Sequence, residues 1–113
     1  MARIRSVHPG LWSQKSRKSE SGIWHLYLIQ EGESGAVKVG IARNAFWRLS
    51  DLQSGNPRKL NMRAIWEADS RFDAASFEAS VLHSFKGDRL TGEWLHAPWE
   101  SIQRFLEAQN GQN

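Results

Sequence analysis

The sequence predicts an α+β fold in which helices flank a small three-stranded antiparallel sheet. Two early segments rich in β-branched and aromatic residues are separated by a glycine-containing turn, and later segments carry apolar residues at helical spacing. The predicted order is β-β-α-β-α-(β)-α, with no internal repeat, and its tight first hairpin is typical of an antiparallel sheet. A chain of 113 residues is expected to form one domain.

The first hairpin is predicted by residues 23–30 (IWHLYLIQ) and 37–42 (VKVGIA), with EGESG as the turn between them. Side chains alternate along a strand, so the even-numbered residues of 23–30 should face one side of the sheet and the odd-numbered residues the other. Tyr27, the only tyrosine of the chain, belongs to the odd-numbered set.

The helices and the third strand are predicted from N-cap residues and from the spacing of apolar residues. Asn44 is a suitable N-cap for a helix that runs to Ser54 and ends at Gly55. Residues 60–67 predict the third strand, and residues 73–86 a second helix capped by Asp73. Residues 92–96 predict a short extended piece or turn, and Pro98 opens the last helix.

The composition excludes several classes of function. Cysteine is absent, which rules out disulfides, thiolate zinc sites and cysteine nucleophiles and is consistent with a reducing cytoplasm. No apolar run approaches the roughly 20 residues of a membrane span, and the N-terminus lacks the apolar stretch of a signal peptide. We expect a soluble, cytoplasmic protein that has no contact with a membrane.

Positive charge is concentrated at the N-terminus. Residues 1–19 contain five basic residues and no acid, and the rest of the chain contains ten basic and twelve acidic residues. The five are Arg3, Arg5, Lys15, Arg17 and Lys18. We predict a basic arm and linker over residues 1–22, a domain over 23–109 and a tail over 110–113. The arm is expected to be mobile without DNA and to contact phosphates when DNA binds; a purely solubilising tail is the alternative.

Several short strings resemble the GIY-YIG endonuclease superfamily. LYLI (26–29), VKVGIA (37–42) and then Arg48 on a helix carry the general resemblance. LQSGNP (52–57), FEASVLHSF (77–85) and GEWL (92–95) are similar to its short phage-encoded branch. The resemblance covers residues 23–105 and implies a GIY-YIG-like fold. It also implies hydrolysis of DNA phosphodiesters with one Mg²⁺ or Mn²⁺, in a bacterial host or a phage-infected cell.

The resemblance implies specific site residues. Tyr27 matches the first motif tyrosine, Gly40 the motif glycine, Arg48 the helix arginine and Glu78 the glutamate that binds the metal. Lys38 occupies the position of the second tyrosine, which departs from the general pattern. Three further residues are weaker candidates: Asn56 for DNA binding, and His83 and Glu93 in the branch motifs.

These residue types suit phosphodiester hydrolysis on chemical grounds. A single carboxylate such as Glu78 can hold Mg²⁺, and an arginine such as Arg48 can fork onto phosphate oxygens. Tyr27 could accept a proton from water if its pKa were lowered, and Lys38 on the neighbouring strand is a cation that would lower it.

Each candidate also has a structural interpretation. Tyr27 can be an ordinary strand aromatic, and Lys38, Arg48 and Glu78 can be surface charges. His83 can be a capping or packing residue, and Glu93 a turn residue.

Two alternatives to an enzyme remain open at the level of the whole chain. One is a non-catalytic DNA-binding or anti-defence module that retains the fold, and the other is a protein-interaction domain without affinity for nucleic acid. DNA is favoured over RNA as the partner. Trp12 and Trp47 are the tryptophans considered for base stacking, and the oligomeric state is left open.

Overall fold

A computed structural model describes residues 3–12 and 22–111 of the chain. Within these residues a five-stranded, wholly antiparallel sheet packs with three helices. The strands are β1 (Ile4–Ser6), β2 (Trp24–Glu31), β3 (Val37–Ala42), β4 (Leu60–Ala68) and β5 (Trp94–Leu95), in the sheet order β1-β4-β2-β3-β5. The helices are α1 (Ala45–Ser54), α2 (Arg71–Ser84) and α3 (Trp99–Gly111).

The predicted α+β architecture is confirmed, but the predicted number of strands is wrong. The two additional strands lie at the edges of the sheet, where β1 pairs with β4 and β5 pairs with β3. They contain only three and two residues. Segments of two or three residues are too short to show an alternating pattern in the sequence. Their extended conformation depends on pairing with distant parts of the chain.

The described part of the predicted basic arm is built into the domain. Ile4 and Val7 are buried, and the indole N–H of Trp12 donates to the Val7 carbonyl at 3.0 Å. Near the other end of the chain, the side chain of Asn110 on α3 accepts from the Ile4 N–H and donates to the Ile4 carbonyl. Residues 3–12 are therefore held by the fold, which differs from the mobile arm expected here. Most of the predicted linker, residues 13–21, lies outside the described residues.

The side chains of β2 divide between two cores, as their alternation predicted. Leu26 and Leu28 belong to a core that includes buried residues of α2 and α3. Tyr27 and Ile29 belong to a second core, which includes buried and partly buried residues of α1. The sheet thus separates α1 from α2 and α3, and the odd-numbered residues of β2 face α1.

The caps of the helices confirm one prediction and correct another. Asn44 caps α1 as predicted, since its side-chain oxygen accepts from the N–H groups of Phe46 and Trp47. The α2 helix begins at Arg71, with Ser70 rather than Asp73 as the cap. The hydroxyl of Ser70 accepts from the Asp73 N–H at 3.0 Å, so Asp73 lies inside the first turn.

None of the helices in residues 3–12 and 22–111 combines the length and the apolar character that a membrane crossing requires.

The first prediction concerns the N-terminal strand. Ile4→Ala should lower the free energy of unfolding by about 2 kcal/mol, because it removes buried methyl groups and leaves a cavity. Leu11→Ala is the matched control, since Leu11 is 45% exposed, and it should change stability by less than about 0.5 kcal/mol. The measurement is urea denaturation of both variants. Equal stabilities would show that β1 does not contribute to the fold in solution.

Candidate active site

The side chain of Tyr27, a residue of β2, lies across β3 at Gly40. The two residues are paired in the β2–β3 ladder, and the Tyr27 side chain is almost completely buried. A Cβ atom at position 40 would overlap the hydroxyl and the ring of Tyr27. Glycine at position 40 is therefore what allows the phenol to lie against this strand.

The position of the first turn of α1 determines that Arg48 contacts Tyr27. The buried His25, two residues before Tyr27 on the same face of β2, accepts the Ala45 N–H on its Nδ1 atom at 2.9 Å. Together with the Asn44 cap, this hydrogen bond holds the first turn of α1 against the sheet. Arg48 follows one turn later, is exposed to solvent, and forms a side-chain hydrogen bond with Tyr27.

Lys38 and Glu93 form an ion pair at the β3–β5 edge. Lys38 Nζ lies 2.9 Å from Glu93 Oε1. Only 8% of Lys38 is exposed, and its ammonium lies 5.8 Å from the centre of the Trp94 ring. The backbone of Glu93 is held at the same edge, since its carbonyl accepts from the Val39 N–H at 3.2 Å.

Glu78 reaches this edge from the other side of the sheet. It lies on α2 beside the buried Phe77, and its carboxyl is hydrogen-bonded to that of Glu93. Within residues 3–12 and 22–111, no N–H group donates to Glu78 Oε2, although this atom is buried. Two ionised carboxylates would repel each other here, so the pair requires either a shared proton or a cation. Glu93 thus links Glu78 to the face that carries Lys38.

The environment of the carboxyl pair moves the two pKa values apart. Burial raises the pKa of Glu78 to about 7, and the neighbouring Glu93 carboxyl adds to this, whereas the charges of Lys38 and Arg71 oppose it. Burial would also raise the pKa of Glu93, but hydrogen bonds from Lys38 and Glu78 outweigh it and lower that pKa overall. The shared proton therefore resides on Glu78.

The pKa of Tyr27 is shifted in the direction opposite to the one expected. Burial raises the pKa of Tyr27, and the hydrogen bond and charge of Arg48 counteract this only in part. The cation that acts on Tyr27 is Arg48 and not Lys38, because the Lys38 ammonium is held by Glu93. The phenol is consequently protonated at neutral pH.

The other candidate residues lie outside this cluster. Asn56 is engaged in its own loop, where its side chain accepts from the Arg58 N–H and donates to Glu31. His83 is exposed on the last turn of α2. Arg5 pairs with Asp69 at 3.0 Å, and Arg3 precedes β1 at the far edge of the sheet. Lys15, Arg17 and Lys18 lie outside the described residues.

Two residues of the cluster were not singled out from the sequence. His25 has the parity of Tyr27 in a buried strand, and a polar residue at such a position is the signal that could have indicated it. Arg71 acts on Glu78 through its charge, but a surface arginine at the start of a helix carries no local signal.

Stability should depend on pH through Glu78. A carboxyl whose pKa rises from 4.5 unfolded to about 7 folded contributes stability below the lower value. That contribution is lost as the pH rises through the higher value. Glu78→Gln imitates the protonated state, so its melting temperature should exceed that of the parent by several degrees at about pH 8 and by little at about pH 5.

The measurement is a series of thermal melts, with Glu107→Gln on the exposed surface of α3 as the control. A Glu78→Gln effect that is the same at both pH values would contradict the assignment of the proton to Glu78.

The single tyrosine allows its pKa to be measured directly. The ultraviolet absorption of tyrosinate should appear only above about pH 10, the ordinary value, because burial raises the pKa of Tyr27. Arg48→Ala should move the midpoint further upward, since it removes the hydrogen bond and charge that favour the phenolate. Arg104→Ala on α3 is the control. A midpoint that falls in Arg48→Ala would refute the contact between Arg48 and Tyr27.

Comparison with known proteins identifies a family of protein domains. No curated protein sequence and no solved structure matches the chain. The model of the T5orf172 domain matches residues 24–109, which include Tyr27, Lys38, Arg48, Glu78 and Glu93. This phage-associated domain is related to the GIY-YIG and HNH-like nuclease-type folds, and membership points to a nuclease or DNA-binding role. Because the match spans more than half of the sequence, the chain belongs to the T5orf172 domain family.

Proposed function

We propose that the chain is an endonuclease that hydrolyses DNA phosphodiester bonds with a single divalent metal, Mg²⁺ or Mn²⁺. The observation that carries this proposal is the convergence around strand β3 of two carboxyl groups, a lysine, an exposed arginine and a tyrosine. They come from separate segments of the chain, and one of the carboxyl oxygens, Glu78 Oε2, has no N–H donor.

The residues present fit a hard cation. Residues 3–12 and 22–111 contain no group of three or more histidine or acidic side chains that could enclose a metal, so binding would depend on Glu78 with Glu93 beside it. Mg²⁺ is commonly held by one or two carboxylates and retains several of its waters. When bound, the metal would neutralise phosphate charge and lower the pKa of a coordinated water.

Arg48 supplies the second positive charge of the site. An arginine carries its charge across the physiological range and can donate two parallel hydrogen bonds to phosphate. Its exposed position allows contact with a substrate, and its hydrogen bond to Tyr27 restricts its direction. Arg48 would therefore stabilise the charge that develops on the pentacoordinate phosphate.

Tyr27 and Lys38 have orienting roles in this proposal. Because burial raises the pKa of Tyr27, its hydroxyl keeps its proton, and through its hydrogen bond to Arg48 it orients the guanidinium that would contact phosphate. Lys38 neutralises Glu93 at 2.9 Å, and its charge opposes the rise in the pKa of Glu78. It thereby favours the ionised form of Glu78 that a cation requires.

A non-catalytic DNA-binding or anti-defence module is the second candidate. Lys38 occupies the position of the second motif tyrosine, and its ammonium is committed to Glu93. The remaining tyrosine is a weak base because its pKa is raised. These two features favour a domain that binds DNA without cleaving it.

Cleavage of supercoiled plasmid distinguishes the two candidates. The parent protein should nick plasmid in Mg²⁺ or Mn²⁺ and stop when EDTA is added. Glu78→Ala and Arg48→Ala should each reduce the rate by roughly 10²-fold or more, as expected for major catalytic groups. Glu107→Ala, on the exposed surface of α3, should cleave at the parent rate.

Two outcomes would change the proposal. Cleavage by Glu78→Ala at more than about a tenth of the parent rate, against the loss expected for such a group, would transfer the metal to Glu93. DNA binding by the parent protein without cleavage in either metal would establish the non-catalytic candidate.

A further inference from the structure

Two arginines share one tryptophan beside the candidate site. The guanidinium carbons of Arg43 and Arg71 lie 5.8 Å and 5.5 Å from the centre of the Trp24 ring. Both guanidinium groups therefore lie beside the same indole ring. Both arginines are exposed, and Trp24 is partly buried.

The described residues place no carboxylate within ion-pair distance of either cation. Three other arginines are paired with acids: Arg5 with Asp69, Arg58 with Glu31 and Arg63 with Glu33. Arg71 acts on Glu78 only through its charge and without a direct ion pair, so a polyanion that contacts both cations would supply the direct partner that they lack. Arg43 and Arg71 therefore differ from these three arginines, because no described carboxylate lies within ion-pair distance of them.

The position of the pair connects it to the proposed cleavage site. Arg43 directly precedes Asn44, the cap of the helix that carries Arg48. Arg71 opens α2 and acts through its charge on Glu78. Trp24 begins β2 and packs against the core that includes residues of α2, the helix that carries Glu78. The pair therefore lies beside the elements that carry the cluster.

We propose that Arg43 and Arg71, steadied by Trp24, form a clamp for backbone phosphates of the DNA strand beside the cleavage site. The inference rests on the proposed function, because it places the strand next to Glu78. Stacking on an indole orients each guanidinium before binding, so that less side-chain entropy is lost when phosphate is bound. Phosphates of one strand recur about every 3.4 Å along the duplex axis, so two cations beside the same indole ring can contact phosphates of one strand.

The aromatic residues next to these cations are consistent with such a surface. Phe72, adjacent to Arg71, is 79% exposed, and Trp47, adjacent to Arg48, is 60% exposed. Exposed rings next to arginines offer faces to sugars and bases, a combination that recurs in proteins that bind nucleic acid strands.

The test is a salt titration of DNA binding in EDTA, where cleavage does not interfere. The full-length Arg43→Ala/Arg71→Ala variant is compared with the parent and with Lys59→Ala/Arg104→Ala. The control pair removes the same charge from other exposed positions: Lys59 at the opposite end of β4 from the residue paired with Trp24, and Arg104 on α3.

The clamp variant should reduce the slope of log K against log salt by roughly 2 units, because each lost phosphate contact accounts for about 0.9. Its affinity at low salt should fall by about tenfold or more, while the control pair stays within about threefold of the parent. Arg43→Gln/Arg71→Gln retains the side-chain stems on Trp24 and should give the same slope change, which decides the question if the alanine pair does not fold.

Equal slopes for the clamp and control pairs would overturn the clamp, as would a parent protein that does not bind DNA in EDTA. The experiments also separate failure of the clamp from failure of the proposed nuclease activity. A parent protein that binds with the predicted slope change but never cleaves retains the clamp and loses the nuclease.

Discussion

The alternation of side chains along β2 is the constraint on which the rest of the structure depends. This strand is paired on both sides, with β3 and with β4, so each of its side chains must enter one of the two cores. The even-numbered set fills the core against α2 and α3, and the odd-numbered set faces α1. His25 and Tyr27 share that second face, which is why one hydrogen-bonds the first turn of α1 while the other meets Arg48. A shift of β2 by one residue would exchange the two cores and separate the site.

Much of this architecture could be predicted because its signals are local. The hairpin, the cap at Asn44 and the apolar spacing of α2 are each contained within a few residues. The edge strand β1 could not, since Ile4 becomes part of the sheet only by pairing with Ala68, which lies far along the chain. β5 lies within the extended piece or turn predicted over 92–96, but its pairing with β3 has no local signal. The start of α2 was misplaced for a related reason: Ser70 and Asp73 are both good caps, and tertiary packing decides between them.

In the candidate site, the residue types could be predicted from the sequence, but the environment that the fold gives them could not. Tyr27, Lys38, Arg48 and Glu78 could be named from the sequence, but Glu93 acquires its linking position only when β5 pairs with β3. Charge alone predicts a lowered pKa for Tyr27, and this prediction is wrong because burial raises it. In the fold the phenol is almost completely buried, and the cost of removing the phenolate from water exceeds the attraction of one exposed guanidinium.

The carboxyl pair connects stability with the proposed chemistry. Glu78 lies where an ionised carboxylate is unfavourable, because burial and Glu93 both raise its pKa. This cost is reduced by a proton in the free protein and would be reduced more strongly by a divalent cation, so the two compete for the same oxygen atoms. A ligand that binds only the folded state adds to its stability. A cation that binds Glu78 should therefore stabilise this domain most above about pH 7, where the proton no longer occupies the site.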